Sequence, residues 1–364
     1  MMPTSWERQE NSVINTVSKK YTCTCLWRKH VTHNINTIKV ATVFRDKQAS
    51  LIIGCEDGVL RIYSLPSETD KSQETLEIKL SLETKGGPIQ SLMAFDVSKL
   101  GSTDLISADS RGMVTIFCNG QISARKSLSK DSVSCLQVDH DATGNFTIIA
   151  SDGSGVIHGF MPYKHLWKVR LADTAIQKTI PQLPRIKCLL ATSLIGASGQ
   201  ESTYVIAADD CKNLHFLQQG IVVVSLTCQS VITAMCKGCF VPTEELELAN
   251  TGPDAPSQVA LAAEDGSVYI MCNFQIYFDE YVNVKLPIRQ LGTLPESNSS
   301  NVQSLLCTGN FNHLVVYHDK KLVAKYETTD WVSSFTVVEG TQEGSHQVIV
   351  GCCNNTLEAI KIAR

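Results

Sequence analysis

One pattern recurs seven times along the chain: an apolar run of small and branched residues, a tight turn, then a second apolar run. The turns fall at Gly58, Gly112, Gly155, Lys212, Gly266, Asn312 and Asn355, at intervals of 54, 43, 57, 54, 46 and 43 residues. Seven residues before each turn stands a branched aliphatic (Leu51, Leu105, Ile148, Val205, Val259, Leu305, Val348), and another follows two after it (Leu60, Val114, Ile157, Leu214, Val268, Leu314, Leu357). Four before it stands a small residue: Gly54, Ala108, Ser151, Ala208, Ala262, Thr308 and Gly351. A strand pair of this kind cannot bury both faces alone, so repeats of this length stack as blades around an axis.

The best copies give a blade of four strands. INTIKVATVF and DWVSSFTVV are first strands, SLIIG and QVIVG second, VLRIYSL and TLEAI third, LEIKLSLE and GIVVVSLT fourth. The small residue ahead of the turn is expected where inner strands crowd near the axis. Asp57-Gly58 and Asp265-Gly266 predict two-residue hairpin turns with positive φ at both central positions. The last repeat reaches Arg364 before any fourth strand, while residues 21–31, YTCTCLWRKHV, share a Leu-Trp step (Leu26, Trp27) with the third repeat (Leu166, Trp167). The prediction is an all-β chain: a single seven-bladed β-propeller over residues 20–364, closed by an N-terminal strand, behind a polar tail at 1–19. Closure removes an open strand edge that would invite aggregation. Insertions at 65–78, 172–186, 242–257 and 293–302 hold Pro, Ser, Gly and acids and read as surface loops.

A formal charge of −4 leaves no basic excess to neutralise phosphates, so nucleic acid is not the expected partner. No signal peptide is visible and no apolar stretch approaches the ~20 residues that span a bilayer. A soluble, cytoplasmic protein without direct membrane insertion is expected. The 14 cysteines lie mostly inside apolar strand patterns and read as buried reduced thiols. Cys236 and Cys239 form a CKGC, but within the strand-like SVITAMCKGCFV residues three apart point to opposite faces, which argues against zinc. His30 and His33 are placed at a loop or edge. No nucleophile elbow, P-loop, dinucleotide fingerprint or HExxH occurs, so no catalytic, cofactor-binding or metal residue is assigned and no cofactor is expected.

WD, GH and kelch diglycine signatures are absent, Gly86-Gly87 being the only glycine pair. A different motif lies between first and second strands. The second repeat has Asp96, Ser98, Gly101 and Asp104; the third has Asp139, Asp141, Thr143, Gly144 and Thr147; the last has Glu339, Thr341, Glu343, Gly344 and Gln347. These resemble the FG-GAP calcium loop of integrin-type propellers, D-x-D-x-D-G-x-x-D ahead of an apolar strand. Calcium takes about six or more oxygens, and each copy keeps two carboxylates, so calcium is not an expected ligand. Among such propellers the chain resembles the intracellular branch: the integrin-alpha FG-GAP-repeat-containing protein and kaptin of the TORC1-regulating KICSTOR assembly, and the propeller domains of BBSome subunits. The resemblance implies a non-enzymatic scaffold or adaptor whose partners are other protein subunits of a complex. The alternative is a propeller hydrolase or small-ligand binder.

The turns between second and third strands open on one face of a propeller. Five successive ones carry Glu56, Asp57, Asp109, Asp152, Asp209, Asp210, Glu264 and Asp265, and the last two carry no acid. Lys85, Lys130 and Lys178 sit on loops entering the same face. Acids suit turns for local reasons. The functional reading is an acidic arc that docks a basic segment of a partner.

Overall fold

The computed structural model describes residues 21–66, 76–141, 143–173, 183–196, 199–242, 245, 257–294, 302–339 and 345–363. The tail at 1–19, Lys178, and Thr341, Glu343 and Gly344 of the last loop motif lie outside the described residues. Seven four-stranded antiparallel sheets form a ring. Six are meanders of consecutive strands, spanning 35–83, 89–127, 133–170, 186–227, 232–283 and 288–327 (blades 1 to 6). In blade 7, Val332–Glu339, Ser345–Cys352 and Thr356–Ala363 are completed by the N-terminal strand Thr22–His30. Each apolar core lies between neighbouring blades: Ile106 and Ile116 of blade 2, for example, pack with Val133, Ile148 and Phe160 of blade 3. Among the described residues no helix is long and apolar enough to cross a membrane.

The Leu-Trp step reports how an outer strand seats. Trp167 pairs with Gly159, where a Cβ would stand only 2.1 Å from the indole Cε2. Trp27 likewise pairs with the small Ala359 after a register shift at Leu26, and it is buried against Ile53, Ile349 and Leu357. The closing strand is also held by Glu358, fully buried on the third strand of blade 7. Its carboxylate accepts from Arg28 (3.1 Å), from the Tyr326 hydroxyl (2.9 Å) and from the Thr329 N–H (2.8 Å), so one acid ties closing strand, blade 6 and blade 7 together. Burial opposes ionisation of Glu358, but these hydrogen bonds outweigh it and hold the carboxyl below its ordinary value.

First strands are innermost, each against the first strands of both neighbours. Their inner edges would leave backbone groups unpaired. A belt of side chains supplies partners at all seven steps. Asn36 donates to the Ile89 carbonyl (2.9 Å), Gln137 to Leu189 (3.1 Å), the Cys188 thiol to Ile232 (3.8 Å), Thr233 to Ile288 (2.6 Å) and Gln290 to Phe335 (2.9 Å). The Leu136 and Ile38 N–H groups donate to the hydroxyls of Ser91 and Ser334, each at 3.2 Å.

One local expectation gains detail and another is corrected. The small residues sit on second strands, one place out from the axis, and what crowds them is the adjoining first strands: a Cβ on Gly54 would lie 2.7 Å from Ile89 and from Thr37, and one on Gly351 2.8 Å from Ile35. The turns are three-residue loops, not two-residue ones. Gly54 pairs with Leu60, the Gly58 N–H donates to the Cys55 carbonyl at 3.2 Å, and Gly58 (φ 78°) but not Asp57 is left-handed. This is a type I turn followed by a left-handed bulge residue. Gly112, Gly155, Lys212, Gly266 and Asn355 hold the same position with φ between 64° and 92°. The sixth repeat departs from the others. Its third strand resumes early at the buried Phe311, so Asn312 lies inside the strand Phe311–His318.

Candidate functional site

First strands begin, and fourth strands end, at the end of each blade that carries the turn between strands two and three. One face of the ring, the turn face, therefore collects seven such turns and the loops between blades. Of the eight acids assigned to it, Asp109, Asp152 and Asp209 are buried and committed to their own turns. Asp109 Oδ1 accepts from the N–H groups of Arg111 (2.8 Å) and Met113 (2.9 Å), and Oδ2 from that of Gly87 (3.0 Å). Asp152 accepts from Ser154 and Val156, and Asp209 from Cys211 and Asn213, in the same way. Each is the first residue of a type I turn, where a carboxylate caps the following N–H groups. Burial works against ionisation of Asp152 and Asp209, yet hydrogen bonds from His158 and His215, among others, win and lower both. These three cannot meet a partner, and the continuous arc is broken at blades 2 and 3.

Five acids remain on the surface. Asp57 is ion-paired with Arg61 at 2.6 Å, Asp210 accepts from the Arg185 N–H at 2.8 Å, and Glu56 is hydrogen-bonded to Asn34. Glu264 and Asp265 are exposed at the blade 5 turn, Asp265 capping the Ser267 N–H at 3.0 Å. Acidity thus gathers in two patches, one at blade 1 and one across blades 4 and 5.

Sequence reading missed the sector between them. A cavity of about 480 Å³ opens where blades 6, 7 and 1 meet, lined among others by Asn34, Asn36, Arg289, Asn310, Trp331 and Cys353. Trp331 is 50% exposed beside it. Arg289 donates through Nε to Asn310 Oδ1 at 2.5 Å. Trp331 stands one residue before the first strand of its blade, where the other blades carry Asn34, Pro88, Ser132, Arg185, Val231 and Pro287. That lone aromatic in a loop series was the available signal.

Blade 4 contains a serine-histidine-aspartate array: Ser225 Oγ lies 2.9 Å from His215 Nδ1, and His215 Nε2 lies 3.0 Å from Asp209 Oδ2. Both the imidazole and the carboxylate are 0% exposed. With the carboxylate capping a turn, the array clamps turn, third strand and fourth strand together.

The loop motifs of blades 2 and 3 are closed by their own hydrogen bonds. Asp96 accepts from the N–H groups of Leu100 (3.1 Å) and Gly101 (2.8 Å), and Asp141 from those of Thr143 and Asn145, both at 2.9 Å. Asp139 turns away, toward the Thr203 hydroxyl at 3.4 Å. In the CKGC, Cys236 neighbours Cys307 while Cys239 neighbours Cys272, and burial pushes both CKGC thiols up.

No family model matches the chain, and no curated protein matches it. Its fold is shared with solved structures. The crystal structure of BBS1N in complex with ARL6DN, soaked with mercury, is 12% identical with a TM-score of 0.66 over 94% of this chain and 97% of that one. The same complex soaked with lead gives 11% identity, a TM-score of 0.66 and the same coverage. The WD40 β-propeller domain of Doa1 gives 10% identity and a TM-score of 0.60 over 93% and 96%. At such identities the likeness is one of fold, and the fold is a seven-bladed β-propeller.

Proposed function

We propose that the chain is a non-enzymatic scaffold or adaptor subunit of an intracellular multiprotein complex, docking a protein partner on its turn face. One observation carries the reading: the exposed Trp331 at the rim of a cavity that also holds Arg289, bordered by the acidic turn of blade 1. Tryptophan and arginine at a concave site are the residues that anchor protein interfaces, and carboxylates at the rim select a partner and speed encounter. A propeller of similar fold and extent, BBS1N, was solved in complex with ARL6DN, which supports a protein ligand. The FG-GAP-like loops and this likeness favour a complex of the TORC1-regulatory or ciliary trafficking type, with the chain in the cytoplasm and reaching cilium or lysosome surface through its partners.

The test is affinity purification of the tagged chain followed by mass spectrometry, run beside Trp331→Ala and a Glu56→Lys, Glu264→Lys double variant, with melting temperatures as the folding control. Stoichiometric partners should come down with wild type and be lost from folded variants. Recovery of the wild-type chain alone with a bound metabolite would instead favour the small-ligand reading. Partners unaffected by either variant would remove the turn face from the proposal.

A further inference from the structure

The opposite face carries the ends of first and third strands. Between blades 2 and 3 it opens into an apolar cavity of about 500 Å³, whose walls include Val97, Ile116, Phe146 and Met161. Leu100 and Tyr163 stand at its mouth, 60% and 80% exposed. The Tyr163 hydroxyl is 2.9 Å from Ser123 Oγ, so the cavity is bridged across the blade boundary and its shape is fixed by both blades. Large apolar side chains left in water beside a preformed apolar cavity mark a binding site more often than a solvated surface.

Charge says what kind of occupant fits. The fourth strands that flank the cavity, Gln121–Ser127 and Lys164–Arg170, carry no carboxylate, and the second begins at the mouth with Lys164. Lys99 adds a further cation on the mouth, its ammonium 5.8 Å over the Phe146 ring. The nearby loop acids Asp96, Asp104 and Asp141 do not line the cavity. Asp96 and Asp141 accept from their own loops' N–H groups, and Asp104 is buried with Oδ2 accepting from the Ser98 N–H at 2.8 Å. The mouth is open enough to leave Leu100 and Tyr163 wet, which suits a chain lying across it better than an enclosed lipid tail.

We infer that this cavity is a second docking site, which takes a short protein segment carrying one or two bulky apolar side chains flanked by carboxylates. The apolar anchors fill the space lined by Phe146 and Met161, and the flanking acids meet Lys99 and Lys164. Its preference is opposite in sign to that of the turn face, so the ring holds an acidic, apolar segment on one side and a basic one on the other.

The test uses the full chain and three fluorescein-labelled dodecapeptides, followed by anisotropy: one with Leu and Phe between glutamates, one with lysines for the glutamates, one with Ala for Leu and Phe. The first should bind saturably with Kd on the order of 10–100 μM and more weakly in high salt; the other two should bind at least about tenfold more weakly. Leu100→Asp, and separately Lys99→Glu with Lys164→Glu, should each weaken the first peptide by about tenfold or more, the size of one buried anchor. Both variants should melt like wild type, since all three positions are at the surface. No saturation by ~1 mM, equal binding of the lysine peptide, or unchanged affinity in both variants would overturn the proposal. So would a concentration-dependent dimer that Leu100→Asp abolishes, which assigns the cavity to a second copy, or displacement of the peptide by oleate, which assigns it to a lipid.

Discussion

Asp209 and Asp265 look alike in sequence, an acid in or beside a turn, and the structure gives them unlike work. Asp209 is fully buried and satisfies Cys211, Asn213 and His215; Asp265 caps one N–H from the surface. Asp209→Ala should cost about 3 kcal/mol or more, because several buried donors lose their acceptor, while Asp265→Ala should cost about 0.5–1 kcal/mol. Chemical denaturation reads both, and equal losses would mean the burial assigned to Asp209 is wrong. Lys212 makes a second residue-scale case. It holds a left-handed position (φ 66°) that glycine fills in four of the other turns, so Lys212→Gly should stabilise by about 1 kcal/mol despite losing its bond to the Gln229 carbonyl. A variant that melts lower would place the strain elsewhere. The turn glycines were legible in sequence because φ > 0 selects them. The burial of the capping acids was not, since a carboxylate favours the first turn position whether it faces water or core.

At the scale of the strand, closure was legible for a reason the structure supplies: Trp27 and Trp167 each need a small residue opposite, and Ala359 and Gly159 provide it. What no sequence pattern announced was Glu358, an acid in an apolar third strand that becomes intelligible only when Arg28, Tyr326 and Thr329 arrive from three other elements. The innermost belt was equally hidden, because its serines, threonines, glutamines and thiols read as ordinary strand residues until the ring sets them beside a neighbour's backbone. Removing residues 1–30 takes away the buried Trp27 and exposes the third-strand edge of blade 7, a loss of several kcal/mol that should drive the chain into aggregates. A monomeric product with unchanged melting temperature would show that the ring does not depend on this strand. Glu358→Ala should mimic much of the deletion by stranding the Thr329 N–H and Tyr326 hydroxyl. Arg28→Ala should do little, because half of the arginine side chain is in water and an exposed partner is worth under about 1 kcal/mol.

Across the whole ring, ionisation limits stability from both sides of neutrality. Asp152, Asp209 and Glu358 are held below their ordinary values, so their contribution is complete above the unfolded carboxylate pKa of about 4 and is lost as pH falls through the folded values. Among the described residues Asp139 is the one carboxyl pushed up by burial, and it works the other way. Thiols govern the alkaline side and are more numerous. Burial pushes Cys23, Cys228, Cys272 and Cys352 up to about 11, and raises Cys188, Cys236 and Cys307 as well. A raised folded pKa stabilises fully below the unfolded value of about 8.5 and is lost as pH climbs from there through the folded value. Each thiol that ionises only when unfolded removes about 1.4 kcal/mol per pH unit, so several acting together should make the alkaline arm steep. Under reducing conditions the melting temperature should be flat from about pH 5 to 8, decline below about 4, and fall faster between about 9 and 10.5. Replacing Cys188 and Cys228 by Ala should flatten the alkaline arm and leave the acid arm unchanged. An alkaline arm that keeps its slope in that double variant would show that these thiols already ionise in the folded ring, and that the blade interfaces around them are open to water.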